Sequence, residues 1–305
     1  MKFDHVLFIG FGAPEKPADV LPFIEQVTRG LEIPPERLQK VIRQYEQIGG
    51  VSPYNRCTFQ LLDKIREILA GKNIPIPFFV GMKNWHPFLI DTAAEIKKKN
   101  LKKGIAVVLA PHRSEASFEK YKTALGEALQ QNAAKIEYEF IKPWHDHPGF
   151  VQAQAAQLRR VLDTLTSADL DRTHFLFTAH SIPQDMAARS EYEKEIRISS
   201  ARVAETLDFR DWSIAYQSRS GNPVQPWLEP DVCAAIAELP EKGVSTVIVI
   251  PIGFICDNAE VLYDLDIQAR AQAEKSGIRY LRASTVMDHP AFVALFVQLI
   301  QSRLL

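Results

Sequence analysis

The sequence predicts an α/β protein built from two similar units, each with a four-stranded parallel sheet flanked by helices. Apolar runs of strand length alternate with longer segments whose apolar residues recur at helical spacing, a pattern typical of a parallel sheet covered on both faces. The two halves of the chain also repeat short motifs in matching places. The 305 residues are enough for two domains of about 150 residues each.

Eight apolar runs are predicted to be strands. They are Val6–Ile9, Pro77–Gly81, Ile105–Leu109, Ile136–Ile141, His174–Thr178, Ser213–Gln217, Val247–Ile250 and Arg279–Ala283. Segments between them, such as TFQLLDKIREILA at 58–70 and DTAAEIKKKN at 91–100, have helical spacing and are predicted to be helices. Eight strands connected in this way favour two units of four strands each.

Two motifs occur once in each half of the chain. DHPGF at 146–150 corresponds to DHPAF at 288–292, and FGAP at 11–14 corresponds to HSIP at 180–183. We therefore predict a duplicated unit, with domains at 1–144 and 145–288 and a last segment at 289–305. Because a cleft between similar halves is a natural ligand site, Phe11 and His180 are expected to face each other across it.

Composition excludes several classes of function. The formal net charge of −1 gives no electrostatic reason to expect a nucleic acid as partner. The three cysteines, at positions 57, 233 and 256, have no C-x-x-C spacing, so neither a zinc site nor a disulfide framework is predicted. The N-terminus runs straight into a strand and no apolar stretch is long enough to span a membrane, so we expect a cytoplasmic protein. No G-x-G-x-x-G or Walker motif supports nucleotide binding.

His180 is the strongest single candidate for chemistry. It follows the apolar run FLFTA and therefore lies at the carboxyl end of a predicted parallel strand, where the active sites of α/β proteins gather. The alternative is a packed histidine bonded to a neighbouring carbonyl group. His174 begins the same strand and is interpreted as structural.

An acidic segment follows another buried strand. In Val247–Gln268 the carboxylates of Asp257, Glu260 and Asp264 recur at spacings of three and four, which places them on one face of an α-helix although like charges weaken it. No Lys or Arg occurs between Lys242 and Arg270, so buried acids there are expected to be protonated or bound to a cation. With His180, Glu260 can serve proton removal or the entry of a divalent cation; the alternative is a solvated helix face.

Six segments together resemble the ferrochelatase family, which inserts iron into a porphyrin at the end of haem synthesis. They are YEQIGGVSPYN (45–55), GMKNWHPF (81–88), LAPH (109–112), TAHSIP (178–183), YQSRSGNPVQPWLEPDV (216–232) and VIVIPIGFICDNAEVLYDLD (247–266). The match runs in order along nearly the whole chain. The resemblance implies two Rossmann-like domains with the active-site cleft between them, and a C-terminal helix that packs back on the first domain.

The resemblance also implies site residues and substrates. His180 and Glu260 are expected to be catalytic and to bind the metal, with Asp264 as a relay or outer metal site. The porphyrin-binding positions implied are Phe11, Ala13, Arg29, Tyr45, Ser52 and Trp227. Ferrous iron and either protoporphyrin IX or coproporphyrin III are expected as substrates, with no prosthetic group and no iron–sulfur cluster.

Several positions depart from the family pattern. Gln268 stands where many members have an acid, and Asn258 stands where a histidine is common. Phe11 replaces a tyrosine that can ligate product iron in some members. Ala13 and Gln44 replace polar or basic residues that hold propionates in coproporphyrin-type members.

The expected partners follow from this reading. We expect a monomer that binds porphyrin and ferrous iron; a peripheral membrane contact and a protein that donates iron or accepts haem stay open. The alternatives are a cobalt or nickel tetrapyrrole chelatase of the same fold and a non-catalytic haem- or porphyrin-binding protein.

Overall fold

The structure, a computed structural model, describes residues 2–30, 32, 34–220, 224–287 and 289–304. The chain forms two compact units: unit 1 comprises Met1–Ala110, Ala116–Pro143 and Val293–Leu305, and unit 2 comprises Pro111–Glu115 and Trp144–Phe292. Each unit contains one four-stranded sheet whose strands are all parallel. The predicted fold class is therefore confirmed. Of the predicted motifs and segments, residues 221–223, 288 and 305 lie outside the described part.

Unit 1 carries the first sheet. Its strands are β1 (His5–Gly10), β2 (Phe78–Met82), β3 (Lys103–Val108) and β4 (Glu137–Phe140), in the order β2-β1-β3-β4. Its helices are α1 (Val20–Val27), α2 (Pro35–Gln47), α3 (Tyr54–Gly71), α4 (Leu89–Lys98) and α5 (Lys120–Gln131). A 3₁₀ turn at Pro17–Asp19 precedes α1, and a π-helical turn at Glu115–Glu119 precedes α5.

Unit 2 carries the second sheet. Its strands are β5 (Thr173–His180), β6 (Trp212–Gln217), β7 (Thr246–Ile250) and β8 (Arg279–Arg282), in the order β6-β5-β7-β8. Its helices are α6 (Pro148–Leu162), α7 (Ser167–Leu170), α8 (Gln184–Ala188), α9 (Tyr192–Leu207), α10 (Val232–Ala237) and α11 (Arg270–Lys275). A π-helix at Val261–Ala269 leads directly into α11, and a 3₁₀ turn occupies Pro240–Lys242.

The last helix, α12 (Pro290–Leu304), returns to unit 1 from Val293 onward. Its Phe296 meets Phe8 of β1 edge to face, with ring centroids 5.8 Å apart, and both side chains are completely buried. Burial of an aromatic side chain of this size contributes about 1.5–3 kcal/mol. The helix therefore covers one face of the first sheet.

The interior strands explain why continuous apolar runs predicted the fold. All six residues of β1 and all five of β7 are buried, because each of these strands has a neighbour on both sides and helices on both faces. In contrast, the edge strand β4 alternates exposed and half-buried residues. The polar–apolar alternation of β4 marks it as the outer strand.

The strand order also locates the functional edge of each sheet. In unit 2 the chain passes from β5 to β6 on one side and to β7 on the other, so the order reverses between β5 and β7. Ligands of open parallel sheets bind at such a switch point, beyond the carboxyl ends of the strands. His180 ends β5 at this point, and the acidic segment follows β7.

His5, at the opposite end of the first sheet, is fully buried in a polar network. Its Nδ1 donates to Asp4, and its Nε2 accepts from the Tyr138 hydroxyl at 2.8 Å. The Asp4 carboxylate also accepts the backbone N–H groups of Lys102 and Lys103. Burial lowers the pKa of His5, although Asp4 opposes this effect, so the network is built around a neutral imidazole.

This network predicts a pH-dependent stability. Because the pKa of His5 is below its ordinary value of 6.5 in the folded protein, the unfolded chain binds the extra proton below that pH and stability falls as pH is lowered. His5→Phe is expected to reduce this fall between pH 6.5 and about 5. Urea unfolding of wild type and His5→Phe across this range measures the fall in the free energy of unfolding. The other histidines are the same in both proteins, so the difference between them reports on His5. An unchanged slope would contradict the prediction.

Candidate active site

His180 is held by its own backbone and by a tyrosine. Its Nδ1 donates to the Ser181 carbonyl oxygen, and its carbonyl accepts from the hydroxyl of Tyr192 at 2.9 Å. The Ser181 hydroxyl in turn donates to the Leu228 carbonyl at 2.9 Å. With Nδ1 fixed in this way as a donor to backbone, Nε2 is the ring nitrogen left to meet other groups.

Glu260 is brought to this imidazole by the loop after β7. Gly253 donates its N–H to the Thr178 carbonyl at 3.0 Å, and a Cβ on Gly253 would lie 2.7 Å from the Cβ of Ala179. Only glycine lets the loop pass so close to β5. As a result, Glu260 Oε1 lies 3.4 Å from His180 Nε2.

Two side chains fix the backbone around Glu260. Asn258 accepts the N–H of Val261 at 2.9 Å through its Oδ1, and so caps the π-helix. Its amide also lies 3.5 Å from Glu260 Oε2. Gln217, at the end of β6, donates to the Glu260 carbonyl at 3.2 Å. The sequence departure at Asn258 thus replaces an imidazole by a capping group.

The His180–Glu260 pair is electrostatically coupled. Partial removal from water would lower the pKa of His180, but the Glu260 carboxylate, the Ser181 carbonyl and the more distant Asp264 together raise it to about 9. Burial would raise the pKa of Glu260, but His180 and then Asn258 lower it. The resting pair is therefore an imidazolium facing a carboxylate. Their side chains are 30 and 40% exposed, so a ligand can reach both.

Asp264 lies beside this pair on the π-helix. Burial raises its pKa to about 6, with the Glu260 charge contributing, although a hydrogen bond from Ser218 lowers it. Ser218 adopts a positive φ of 64°, a conformation that non-glycine residues rarely adopt and that clusters at functional sites. Gln268, further along the same segment, is exposed.

The predicted α-helical face of acids is corrected in two respects. Residues Val261–Ala269 form a π-helix, whose wider turn changes the angular spacing on which the prediction rested. Asp257 precedes this helix and pairs with Arg282 and Thr285 rather than with Glu260. The expectation that buried acids here lack a basic partner was wrong for Asp257, because the partner comes from β8, which is distant in sequence.

The described residues form no closed set of metal ligands. Among them, no group of three or more His, Cys, Asp or Glu side chains is arranged to hold a metal ion. His180 and Glu260 supply two ligand atoms, which leaves the other positions of a bound cation open.

The structure brings four of the six predicted porphyrin-binding residues together within unit 1. The Phe11 ring meets Phe23 with centroids 6.2 Å apart, and Phe23 meets Tyr45 at the same distance. Ser52 donates its N–H to the carbonyl of Pro14, next to Ala13. Ala13, Tyr45 and Ser52 are buried, whereas Phe11 is 42% exposed.

The remaining two predicted porphyrin positions lie elsewhere. Arg29 is exposed, two residues beyond the end of α1. Trp227 lies in unit 2, where it is buried and forms a backbone bridge with Pro183. Its neighbour Leu228 donates its N–H to Ile182 at 2.9 Å. The tryptophan segment therefore holds the loop that follows His180.

Three other histidines of unit 2 have structural contacts. His112 is buried and bonds through Nε2 to Ser199 at 3.0 Å; burial lowers its pKa to about 3. His147 accepts the N–H of Gly149 at 3.1 Å and caps α6. His174 bonds to Ser213 at 2.7 Å, at the start of β5.

Sequence reasoning missed several residues that shape the site. They are Tyr192, Gln217, Ser218, Asn258 and Arg282. Asn258 carried a usable signal, since an asparagine immediately before the first residue of a helix is a common N-cap. The others act through contacts between distant segments, which no local pattern marks.

Solved structures identify the fold as that of a two-domain chelatase. SirB from Bacillus subtilis with Fe3+ superposes with a TM-score of 0.60 at 11% identity, covering 98% of this chain and 94% of that chain. DR2241 from Deinococcus radiodurans, a multi-domain protein with structural similarity to chelatases, gives 0.58 at 15% identity, covering 98% and 55%. At these identities the likeness concerns the fold alone.

The sequence comparisons specify the family. The ferrochelatase family model matches residues 4–304. A ferrochelatase of Rhodopirellula baltica is 38% identical over 99% of this chain and 86% of its own length. A coproporphyrin III ferrochelatase of Mycolicibacterium smegmatis is 36% identical over 100% and 91%. The chain belongs to the ferrochelatase family, and it is a metal-chelating lyase that inserts ferrous iron into a porphyrin in haem synthesis.

No helix among the described residues combines the length and the apolar composition needed to cross a bilayer.

Proposed function

We propose that His180 and Glu260 carry iron insertion, with His180 as proton acceptor and metal ligand and Glu260 as its carboxylate partner. The observation that carries this proposal is the 3.4 Å separation of His180 Nε2 and Glu260 Oε1 at the carboxyl end of β5. A neutral imidazole nitrogen and a carboxylate oxygen are both ligands of ferrous iron and acceptors of protons.

Iron insertion requires the site to handle both protons and the metal. Ferrous iron replaces the two pyrrole N–H hydrogens of the porphyrin, so two protons leave as the iron–nitrogen bonds form. His180 Nε2 first gives up its own proton through the Glu260 carboxylate to solvent and then accepts one pyrrole proton. The second pyrrole proton leaves along the carboxylates of Glu260 and Asp264, which can also pass the hydrated cation along the π-helix. Partial exclusion of water at the pair strengthens these charge interactions.

We further propose coproporphyrin III as the porphyrin substrate. Relatives with 36% identity over 98–100% of this chain carry that substrate in their names. Of the expected porphyrin-binding positions in unit 1, the exposed guanidinium of Arg29 is a suitable partner for a propionate carboxylate, whereas Tyr45 and Ser52 are buried. Ala13 and Gln44 contribute no charge.

An anaerobic insertion assay tests both proposals. Purified protein is given Fe²⁺ with either coproporphyrin III or protoporphyrin IX, and kcat/KM is measured for each. We expect at least about a tenfold preference for coproporphyrin III, equivalent to about 1.4 kcal/mol. The opposite preference would overturn the substrate assignment alone. Equal insertion by wild type and a His180→Ala variant would overturn the assignment of the site.

Phe11 gives a spectroscopic prediction for the product complex. Its exposed ring follows β1, and its N–H donates to the Tyr54 hydroxyl at 3.1 Å. Phenylalanine has no atom that can ligate iron, so we expect the wild-type complex with ferric haem to lack a tyrosinate charge-transfer band. Phe11→Tyr is expected to gain this band and to release haem more slowly, because ferric iron lowers the phenol pKa.

Absorption and resonance Raman spectra of both haem complexes measure this change. Because 42% of Phe11 is exposed, the added hydroxyl should leave the melting temperature nearly unchanged, which serves as the control. A tyrosinate signature in the wild type, or unchanged spectra with a large fall in melting temperature, would show that Phe11 does not lie at the iron.

The working form of the enzyme is also part of the proposal. We infer that the protein carries no iron–sulfur cluster, since the cysteines at 57, 233 and 256 have no cluster-binding spacing. We further propose that it acts as a monomer in the cytoplasm without a prosthetic group. Light scattering during size exclusion and the absorption spectrum of the purified protein test the monomer and the absence of a cluster.

A further inference from the structure

Arg282 connects the two ends of the acidic segment that carries Glu260. It ends β8, and its side chain is only 12% exposed. Its guanidinium forms a bidentate pair with Asp266, with Nε–Oδ1 at 2.7 Å and Nη2–Oδ2 at 2.8 Å. It also donates to both oxygens of Asp257 at 3.2 Å. One planar group therefore binds two carboxylates at the same time.

The contact of Arg282 with these two carboxylates matters because of where they lie relative to Glu260. Asp257 lies just before the π-helix and Asp266 lies within it, so they flank Glu260 and Asp264. Thr285 donates to Asp257 Oδ1 at 2.9 Å, and Arg282 Nη1 reaches the Ala283 carbonyl at 3.2 Å. Lysine cannot reproduce this geometry, because it lacks the planar fork of donors.

The ion pairs also divide the carboxylates into two kinds. The segment 257–266 contains four acids, at 257, 260, 264 and 266. A carboxylate in a partly buried, bidentate pair with arginine has its oxygens occupied and is unavailable to a divalent cation. Without Arg282, Asp257 and Asp266 would offer oxygen ligands of the kind that hard divalent cations bind.

We propose that Arg282 is a positioning residue that confines the incoming cation to the Glu260 branch of the segment. It does so by closing Asp257 and Asp266 as ion pairs and by fixing both ends of the segment that presents Glu260 to His180. The confinement of the substrate cation rests on the proposed function. The closure of the two aspartates does not, and it can be tested separately.

Cation binding to the porphyrin-free enzyme tests the closure. Mn²⁺ is titrated while free Mn²⁺ is followed by electron paramagnetic resonance, for the wild type, Arg282→Met and the triple variant D257N/R282M/D266N. We expect Arg282→Met to bind one more Mn²⁺ than the wild type and the triple variant to lose that ion again. The titration is repeated with E260Q present in each protein. Arg282→Met should again bind one more Mn²⁺, and this result tests the closure of the two aspartates whether or not Glu260 is a metal ligand.

Iron insertion tests the positioning role. Arg282→Lys keeps the charge without the fork, so we expect the number of bound Mn²⁺ ions to match wild type. Its kcat is expected to fall on the order of 10²-fold, as for a displaced catalytic group, with the KM for porphyrin unchanged. Arg282→Met should in addition be inhibited by excess Fe²⁺. The triple variant should have a reduced kcat but should reach saturation with Fe²⁺ without inhibition.

A purely structural role makes different predictions. If Arg282→Met binds no additional Mn²⁺ and shows no inhibition by excess cation, Arg282 does not restrict the cation and the proposal is wrong. If Arg282→Lys retains the kcat of wild type, the fork does not position Glu260. Circular dichroism at the assay temperature confirms that each variant is folded. The triple variant leaves no unpaired charge, so it can still be measured if Arg282→Met does not fold.

Discussion

His180→Ala is expected to lower the kcat for iron insertion by about 10²–10⁴-fold, while the protein still folds and still binds porphyrin. The substitution removes Nε2, the atom that faces Glu260 at 3.4 Å. It thus removes the proposed proton acceptor and the proposed metal ligand in one step. Anaerobic insertion kinetics and quenching of porphyrin fluorescence on binding measure the two properties separately.

His174→Ala is the matched control for this variant. His174 lies near the other end of the same strand and bonds to Ser213 at 2.7 Å, far along β5 from the carboxyl edge. We expect its loss to lower the melting temperature while kcat stays near the wild-type value. Near-normal turnover by His180→Ala would contradict the assignment of His180 as the catalytic histidine.

Glu260→Gln is expected to lower kcat on the order of 10²-fold and to change the pH profile. The substitution keeps the shape of the side chain but removes the charge that most strongly raises the pKa of His180 from 6.5 to about 9. His180 of the variant therefore becomes neutral at lower pH. The acidic limb of the kcat/KM profile for the metal should move to lower pH relative to wild type.

Stability provides a second measurement of the same coupling. Because the pKa of His180 is raised in the folded state, the stability contributed by the pair is fully present below pH 6.5 and is lost as pH rises through about 9. Glu260→Gln should remove this loss in urea unfolding. Gln268→Glu, which adds an acid at an exposed position, is the control and should alter neither profile. If Gln268→Glu changed kcat more than Glu260→Gln, the proposed path of iron past Glu260 would be wrong.

Much of the fold followed from local patterns. All eight predicted strands are present, with shifts of one or two residues at most ends, because interior parallel strands bury both faces and must be apolar along their length. The same reasoning placed His180 at the carboxyl end of β5 and the acidic segment after β7. Since the carboxyl ends of parallel strands share one edge of a sheet, their proximity in unit 2 could be anticipated.

The details of the site could not be read from local patterns. Nothing around Asp257 indicated that its partner would be Arg282, 25 residues later along the chain. The acids at spacings of three and four were consistent with an α-helix, whereas the chain adopts a π-helix at 261–269. The positive φ of Ser218 likewise has no signal in its own residue type.

The sequence by itself therefore determined the class of fold, the strand ends and the residue types available for metal and proton chemistry. These depend on periodicity and burial, which are encoded within short windows of the chain. Only the tertiary structure decided which acids pair with Arg282 and which one faces His180. That choice depends on ion pairs between β8 and the π-helix and on the close passage of Gly253 against β5, contacts whose energies depend on distances between segments far apart in sequence.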